Sequence, residues 1–84
     1  MYEIIAKKRI KKKIESYIAQ YKDIPEKLKR LQKNPRNACK AHPLHGDLKG
    51  KWSCWLRSNI RIIYTINDEK KLIIVFSIGT HKIY

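Results

Sequence analysis

The sequence predicts an α+β fold, in which a short N-terminal strand, a two-helix hairpin and a three-stranded antiparallel meander build one four-stranded sheet. Three runs rich in β-branched and aromatic residues, at positions 52–58, 60–67 and 72–79, are separated by short polar turns. This pattern is typical of an antiparallel meander. Before them lie two stretches with the three- and four-residue spacing of amphipathic helices.

Alternation along the meander assigns each side chain to one of two faces. The apolar set is expected to face the core: Trp52, Cys54, Leu56, Ile60, Ile62, Tyr64 and Ile66. The opposite set contains Ser53, Trp55, Arg57 and Arg61. We therefore expect a cationic and aromatic face on a rigid sheet, and we interpret it as the functional face.

The N-terminal half is expected to complete this sheet and cover its core side. Residues 2–6 are short, apolar and β-compatible, and are predicted to join the meander as an edge strand. Residues 7–21 are predicted to be helical, with an apolar stripe formed by Ile10, Ile14, Tyr17, Ile18 and Tyr21. A second helix is expected to begin at Asp23, with Glu26 completing a capping box, and to end before Pro35.

The size and charge of the chain restrict its function. A length of 84 residues predicts one domain, spanning residues 1–84. Twenty Lys and Arg against seven acidic residues give a net charge of +13, which favours a polyanionic partner. The alternative is that the lysines merely solvate the surface. The polyanion could be RNA, DNA, an acidic protein or a membrane surface, and we expect a nucleic acid. No apolar run approaches the length of a membrane-spanning helix.

The two cysteines, Cys39 and Cys54, have no metal-site spacing. We expect both to be reduced, as in a cytoplasmic protein. The N-terminus lacks the apolar stretch and cleavage site of a signal peptide, which agrees with a cytoplasmic location.

The segment 35–51 has no periodicity and carries several candidate site residues. His42, His45 and Asp47 lie in it, and His81 lies near the C-terminus. The histidines have neither helical ligand spacing nor a carboxylate cluster, so we expect no metal and no cofactor. An isolated loop histidine is most often a surface residue, but three in so basic a chain favour acid–base chemistry on a phosphodiester.

Arginines and aromatic residues provide a second set of candidates. Arg57 and Arg61 could be solvated strand residues, or they could neutralise the charge that develops on a phosphate. Trp55 and Tyr84 could be packing residues, or platforms on which RNA bases stack. The candidate RNA-binding set is Lys49, Lys51, Trp55, Arg57 and Asp47. No phosphate-binding Gly-rich loop and no nucleophile elbow occurs, which excludes those enzyme classes.

With these residues identified, the chain resembles the RelE/ParE superfamily of toxin–antitoxin toxins, and most closely its YafQ and RelE-like messenger-RNA interferases. The resemblance covers the whole chain, the N-terminal half only as an order of elements. The matching motifs are His42-Pro43-Leu44, Gly46, Lys49-Gly50, Ile62-Ile63-Tyr64 and Gly79-Thr80-His81.

The resemblance implies a small cytoplasmic toxin with a microbial-ribonuclease-like fold. Such toxins enter the ribosomal A site and cleave messenger RNA without metal, and a cognate antitoxin binds and neutralises them in a hetero-oligomer. In the reaction the RNA 2′-hydroxyl attacks the adjacent phosphate and leaves a cyclic phosphate.

Residue by residue, the resemblance implies that His81 donates a proton to the leaving 5′-oxygen and that Arg61 stabilises the transition state. Tyr84 lies near the position at which members of the family have a C-terminal aromatic residue. Trp55 and Asn59 depart from the pattern, since the YafQ type has a second histidine and an aspartate at these positions. The general base is therefore sought among His42, His45 and Asp47.

Two other functions are compatible with the sequence. One is a non-catalytic member of the superfamily, either a ParE-like gyrase inhibitor or a degenerate toxin that binds only antitoxin or RNA. The other is a general RNA-binding module. ParE-type toxins need no acid–base histidines, so the three histidines favour the ribonuclease.

Overall fold

The computed structural model describes residues 1–80, in which two helices pack on one face of a mixed sheet. The strands are β1 Glu3–Ala6, β2 His42–Pro43, β3 Trp52–Arg57, β4 Ile60–Asn67 and β5 Leu72–Gly79, and the helices are α1 Lys8–Gln20 and α2 Ile24–Lys33. The sheet order is β1-β5-β4-β3-β2. The predicted α+β class, the helix pair and the meander are thus confirmed.

The strand count differs from the prediction, because the sheet has five strands instead of four. The added strand is β2, whose two residues pair antiparallel with β3, His42 opposite Ser53 and Pro43 opposite Trp52. Two residues are too few for a pattern of alternation to be recognised in the sequence. The N-terminal strand joins the sheet as expected, at its edge and parallel to β5.

The core lies between the helices and one face of the sheet. Its sheet residues include Cys54, Leu56, Ile60, Ile62 and Tyr64, all at most 1% exposed. This confirms the alternation assigned to the meander. On α1, Ile14 is buried and Ile10, Tyr17 and Tyr21 pack against the core, whereas Ile18 is 37% exposed and lies at the edge of the predicted apolar stripe.

The start of α2 also differs from the predicted capping box. Asp23 has helical backbone angles and makes no side-chain capping hydrogen bond, while Glu26 pairs with Arg30 one turn later. Asp23 instead accepts a 2.5 Å hydrogen bond from Arg57 of β3. The carboxylate therefore ties the start of α2 to the sheet.

A buried hydrogen bond joins the end of α2 to the sheet. The hydroxyl of Tyr64 donates to the carbonyl oxygen of Pro35 at 2.5 Å. Pro35 follows the last residues of α2, and both Pro35 and Tyr64 are buried. Burial raises the pKa of Tyr64 well above its usual range, so its hydroxyl stays protonated and remains a donor. This bond positions the start of the segment that leads to β2.

Candidate functional site

The face of the sheet opposite the helices contains the closest cluster of predicted site residues. Trp55 of β3 and Arg61 of β4 are direct cross-strand partners. The guanidinium carbon of Arg61 lies 4.3 Å from the centroid of the Trp55 ring, which is a cation–π contact. Both side chains are half-buried, so the pair is held in place without being removed from solvent.

Arg57 does not belong to this cluster, and the expectation that it shares a face with Arg61 was wrong. The pairing between β3 and β4 shifts after Trp55, and Arg57 lies opposite Ile60, a core residue. A bulge of this kind turns the following side chain to the other side of the strand. The Arg57 guanidinium accordingly lies 4.3 Å from the ring of Tyr21 and pairs with Asp23, both next to the helix hairpin.

A second cation lies over an aromatic ring on the helix-free face. The Lys51 ammonium is 4.7 Å from the centroid of Phe76, a β5 residue that is 55% exposed. Ile63 of β4 pairs with Ser77 of β5, but the next residue, Tyr64, pairs with Val75. Within the described strands, Phe76 has no partner on β4 and is therefore the extra residue of a bulge. Lys51 was among the predicted RNA-binding residues, but Phe76 was not, because alternation in a single run does not distinguish it from a packing residue.

The centre of this face is more buried than the sequence suggested. Ser53 and Ile63 are cross-strand partners and both are fully buried, although they point away from the helices. Within residues 1–80, the hydroxyls of Ser53 and Ser77 have no hydrogen-bond partner. Ile63 lies between them in the sheet, since it pairs with Ser53 on one side and Ser77 on the other.

The three loop candidates differ in their distance from Arg61. His42 lies in β2 opposite Ser53, and Ser53 is two residues before Trp55 on β3. At about 3.3 Å per residue, this offset is roughly 7 Å along the strand. The His42 ring is exposed and its Nδ1 lies 3.2 Å from the carbonyl oxygen of Lys40.

His45 and Asp47 lie in the connection between β2 and β3, which precedes Trp52 at the start of β3. Trp55 lies further along the same strand. A hydrogen bond of 2.9 Å from the Leu44 amide to the Lys51 carbonyl closes this connection. It contains a 3₁₀ turn, Gly46–Leu48, with left-handed backbone at Gly46 and Gly50. His45, Asp47 and Lys49 are exposed. Of the three candidate bases, His42 is the one in register with the strands of the site.

The end of β5 adjoins the site. Gly79 is the cross-strand partner of Arg61 and is buried. His81 follows Gly79 by two residues in the sequence, and His81 and Tyr84 lie outside the described residues. Among residues 1–80, no group of three or more His, Cys, Asp or Glu side chains is placed to hold a metal ion.

Solved structures with the same fold include several bacterial toxins. The chain matches the YoeB/ParE toxin from Agrobacterium tumefaciens with a TM-score of 0.75 and 19% identity, covering 94% of this chain and 98% of that one. It matches the YoeB–YefM complex from Staphylococcus aureus with a TM-score of 0.74 and 21% identity, covering 96% and 98%. For YafQ from E. coli strain BL21(DE3) the TM-score is 0.65 and the identity 25%, with coverage of 96% and 94%.

Sequence comparison gives a more specific result. No curated protein matches the chain in sequence. The family described as the bacterial toxin of the type II toxin–antitoxin system, YafQ, matches residues 2–83, which is nearly the whole chain. The chain therefore belongs to the YafQ family of type II toxin–antitoxin toxins.

Proposed function

We propose that the chain is a ribosome-dependent endoribonuclease that cleaves messenger RNA in the ribosomal A site without a metal ion, and that it acts in the cytoplasm. The observation that carries the proposal is the contact between Arg61 and Trp55 beside the end of β5. It provides a fixed cation and an aromatic ring next to the segment that leads to His81. This combination suits a phosphodiester that is followed by an unstacked base.

The chemistry follows from the reacting groups. The RNA 2′-oxygen attacks the adjacent phosphorus, the bond from phosphorus to the 5′-oxygen breaks, and the products are a 2′,3′-cyclic phosphate and a 5′-hydroxyl. A base accepts the 2′-hydroxyl proton, and His81 donates a proton to the leaving 5′-oxygen. Arg61 neutralises the charge that develops on the phosphate oxygens.

His42 is the favoured base among the loop candidates, because it lies in register with Ser53 on β3. The Trp55 indole has no lone pair that can accept a proton, so it cannot replace the histidine of the family pattern. Trp55 instead supplies a stacking surface for a base next to the cleaved bond, while Lys49 and Lys51 contact phosphates.

The partner that controls the toxin is a cognate antitoxin, with which it forms a hetero-oligomer. The support is the family membership, together with the solved complex of the related fold in Staphylococcus aureus, YoeB with YefM. A net charge of +13 favours an antitoxin segment rich in acidic residues. If a neighbouring open reading frame encodes the antitoxin, co-expression of its product should yield a stable complex, and recovery of the toxin alone would contradict this part of the proposal.

The role of the Arg61–Trp55 contact is tested by comparing two arginine variants in single-turnover cleavage of messenger RNA on ribosomes. Arg61→Ala should lower the cleavage rate by about 10²–10³-fold, the usual effect of removing one group that stabilises developing charge. Arg30→Ala is the matched control, because Arg30 is exposed on α2 and, within residues 1–80, forms its ion pair with Glu26 of the same helix. Equal rates for wild type and Arg61→Ala would refute the catalytic role of Arg61.

A further inference from the structure

The two cysteines, distant in sequence, meet where the segment after α2 packs on β3. Cys54 lies on the core face of β3 and is fully buried. Cys39 lies in a 3₁₀ turn, Ala38–Lys40, that packs directly against β3, and its side chain packs against the core cluster that contains Cys54. Both cysteines are free thiols in the structure.

The backbone at Cys39 is strained in a way that orients its side chain. Cys39 and Lys40 have φ values of 54° and 58°, two consecutive left-handed residues, neither of them glycine. Such a conformation costs free energy and persists only where the surrounding packing holds it. Here it turns the Cys39 side chain inward, where the thiol donates a 3.7 Å hydrogen bond to the carbonyl oxygen of Lys27.

Solvent reaches Cys39 but does not reach Cys54. Cys39 is half-buried and forms part of the wall of a shallow pocket of about 300 Å³. The remaining wall is mostly basic or polar: Arg30, Lys33, Asn34, Asn37 and Ala38. A small neutral oxidant can therefore reach Cys39 from this pocket, whereas Cys54 is fully buried.

We propose that Cys39 and Cys54 form a peroxide-sensitive dithiol, in which Cys39 is the reacting thiol and Cys54 the resolving thiol. The Cys39 thiolate attacks hydrogen peroxide, the O–O bond breaks, and the products are a sulfenic acid and hydroxide. The Cys54 sulfur then attacks the Cys39 sulfur, the S–O bond breaks, and the Cys54 proton leaves with the hydroxyl group as water. The net change is two thiols and one peroxide to one disulfide and two waters.

The charges around the pair support this division of roles. The interaction with the Cys54 thiol lowers the pKa of Cys39. Burial opposes this shift, and the charges of Lys27 and Arg30 assist it. The same interaction raises the pKa of Cys54 well above its usual range, so Cys54 stays protonated. The titratable and charged groups around the two thiols are Lys27, Arg30 and Lys33 of α2, Arg36, and Tyr64 of β4.

The test is oxidation of the purified chain by hydrogen peroxide, followed by mass analysis of its peptides without reduction. Wild type should lose both free thiols, yield one peptide pair linked through Cys39 and Cys54, and return to two thiols with a dithiol reductant. The rate of thiol loss should rise with pH, with a midpoint below that of an ordinary cysteine, because the pKa of Cys39 is lowered. This measurement needs no variant and depends on no nuclease activity.

Two variants separate the roles of the thiols. Cys54→Ala should stop at an oxidised Cys39 or form a disulfide-linked dimer, and Cys39→Ser should react much more slowly than wild type because Cys54 is buried. Circular dichroism checks that each variant is folded, and the wild-type experiment stands alone if Cys54→Ala is not. A wild-type product in which Cys39 is oxidised to the sulfinic acid while Cys54 remains a free thiol would overturn the proposal.

Discussion

Arg61 and Arg57 show how the surroundings of a single residue decide its role. Arg61 lies over Trp55 on the helix-free face, whereas Arg57 lies over Tyr21 and pairs with Asp23 beside the helices. The first arrangement leaves a guanidinium next to the candidate site. The second ties the sheet to the helix hairpin.

Arg57→Ala should therefore reduce stability and leave cleavage nearly unchanged. A partly exposed ion pair and one cation–π contact together contribute about 1 kcal/mol to the free energy of unfolding. Urea unfolding of the variant measures the stability loss, and single-turnover cleavage measures the activity. A large loss of cleavage in a fully folded Arg57→Ala variant would contradict the placement of this side chain on the helix side.

Tyr64 carries a second prediction at the residue scale. Tyr64→Phe keeps the ring in the core but leaves the buried Pro35 carbonyl oxygen without its donor. Leaving a buried acceptor unsatisfied costs about 1–3 kcal/mol. The unfolding free energy of the variant should fall by that amount at neutral pH, and an unchanged value would show that water replaces the hydroxyl.

At the scale of elements, an exposed network joins three segments of the chain. The Asp68 carboxylate, in the turn between β4 and β5, accepts hydrogen bonds from the Tyr2 hydroxyl at 2.5 Å and from the Arg36 guanidinium at 3.0 and 2.7 Å. Arg36 in turn lies 5.8 Å from the Trp52 ring centroid. The turn is thereby connected to the N-terminus and to the segment after α2.

This network predicts a pH dependence of stability. The hydrogen bond from Arg36, then that from Tyr2, holds the pKa of Asp68 well below its ordinary value of 3.8. A carboxyl group with a depressed pKa stabilises the fold above its unfolded pKa, and this contribution is lost as the pH falls below about 4. Wild type should therefore be more stable than Asp68→Asn at pH 7, and the difference should shrink in acid. A difference that is constant between pH 7 and pH 2 would rule out this contribution.

Much of this element structure could be predicted from the sequence, and the failures have local causes. Alternation predicted β3, β4 and the core face correctly, because long periodic runs report burial directly. The side of the sheet on which Arg57 lies depends on a register shift in the pairing of β3 with β4, and the sequence of β3 alone does not show this shift. On β5, alternation with the buried Ile73 and Val75 leaves Phe76 on the exposed face, but the sequence does not show that Lys51 lies over its ring. Asp23 has the residue type of a cap but bonds to a strand that is distant in sequence.

For the molecule as a whole, the net charge of +13 predicts how RNA binding depends on salt. Each phosphate neutralised by Lys or Arg releases counterions, so the logarithm of the association constant should fall linearly with the logarithm of the salt concentration. For single-stranded RNA the slope is about −0.7 per phosphate contacted. Lys51→Ala should make the slope less steep by about that amount. A slope near zero for wild type would mean that phosphates contribute little to binding.

The most direct measurement of the central claim is single-turnover cleavage of messenger RNA on programmed ribosomes by wild type and by His81→Ala. Wild type should cut the RNA and leave a 2′,3′-cyclic phosphate. His81→Ala should cut about 10²–10⁴-fold more slowly, which is the usual contribution of a positioned general acid. Absence of cleavage by wild type or an unchanged rate in His81→Ala would contradict the proposal.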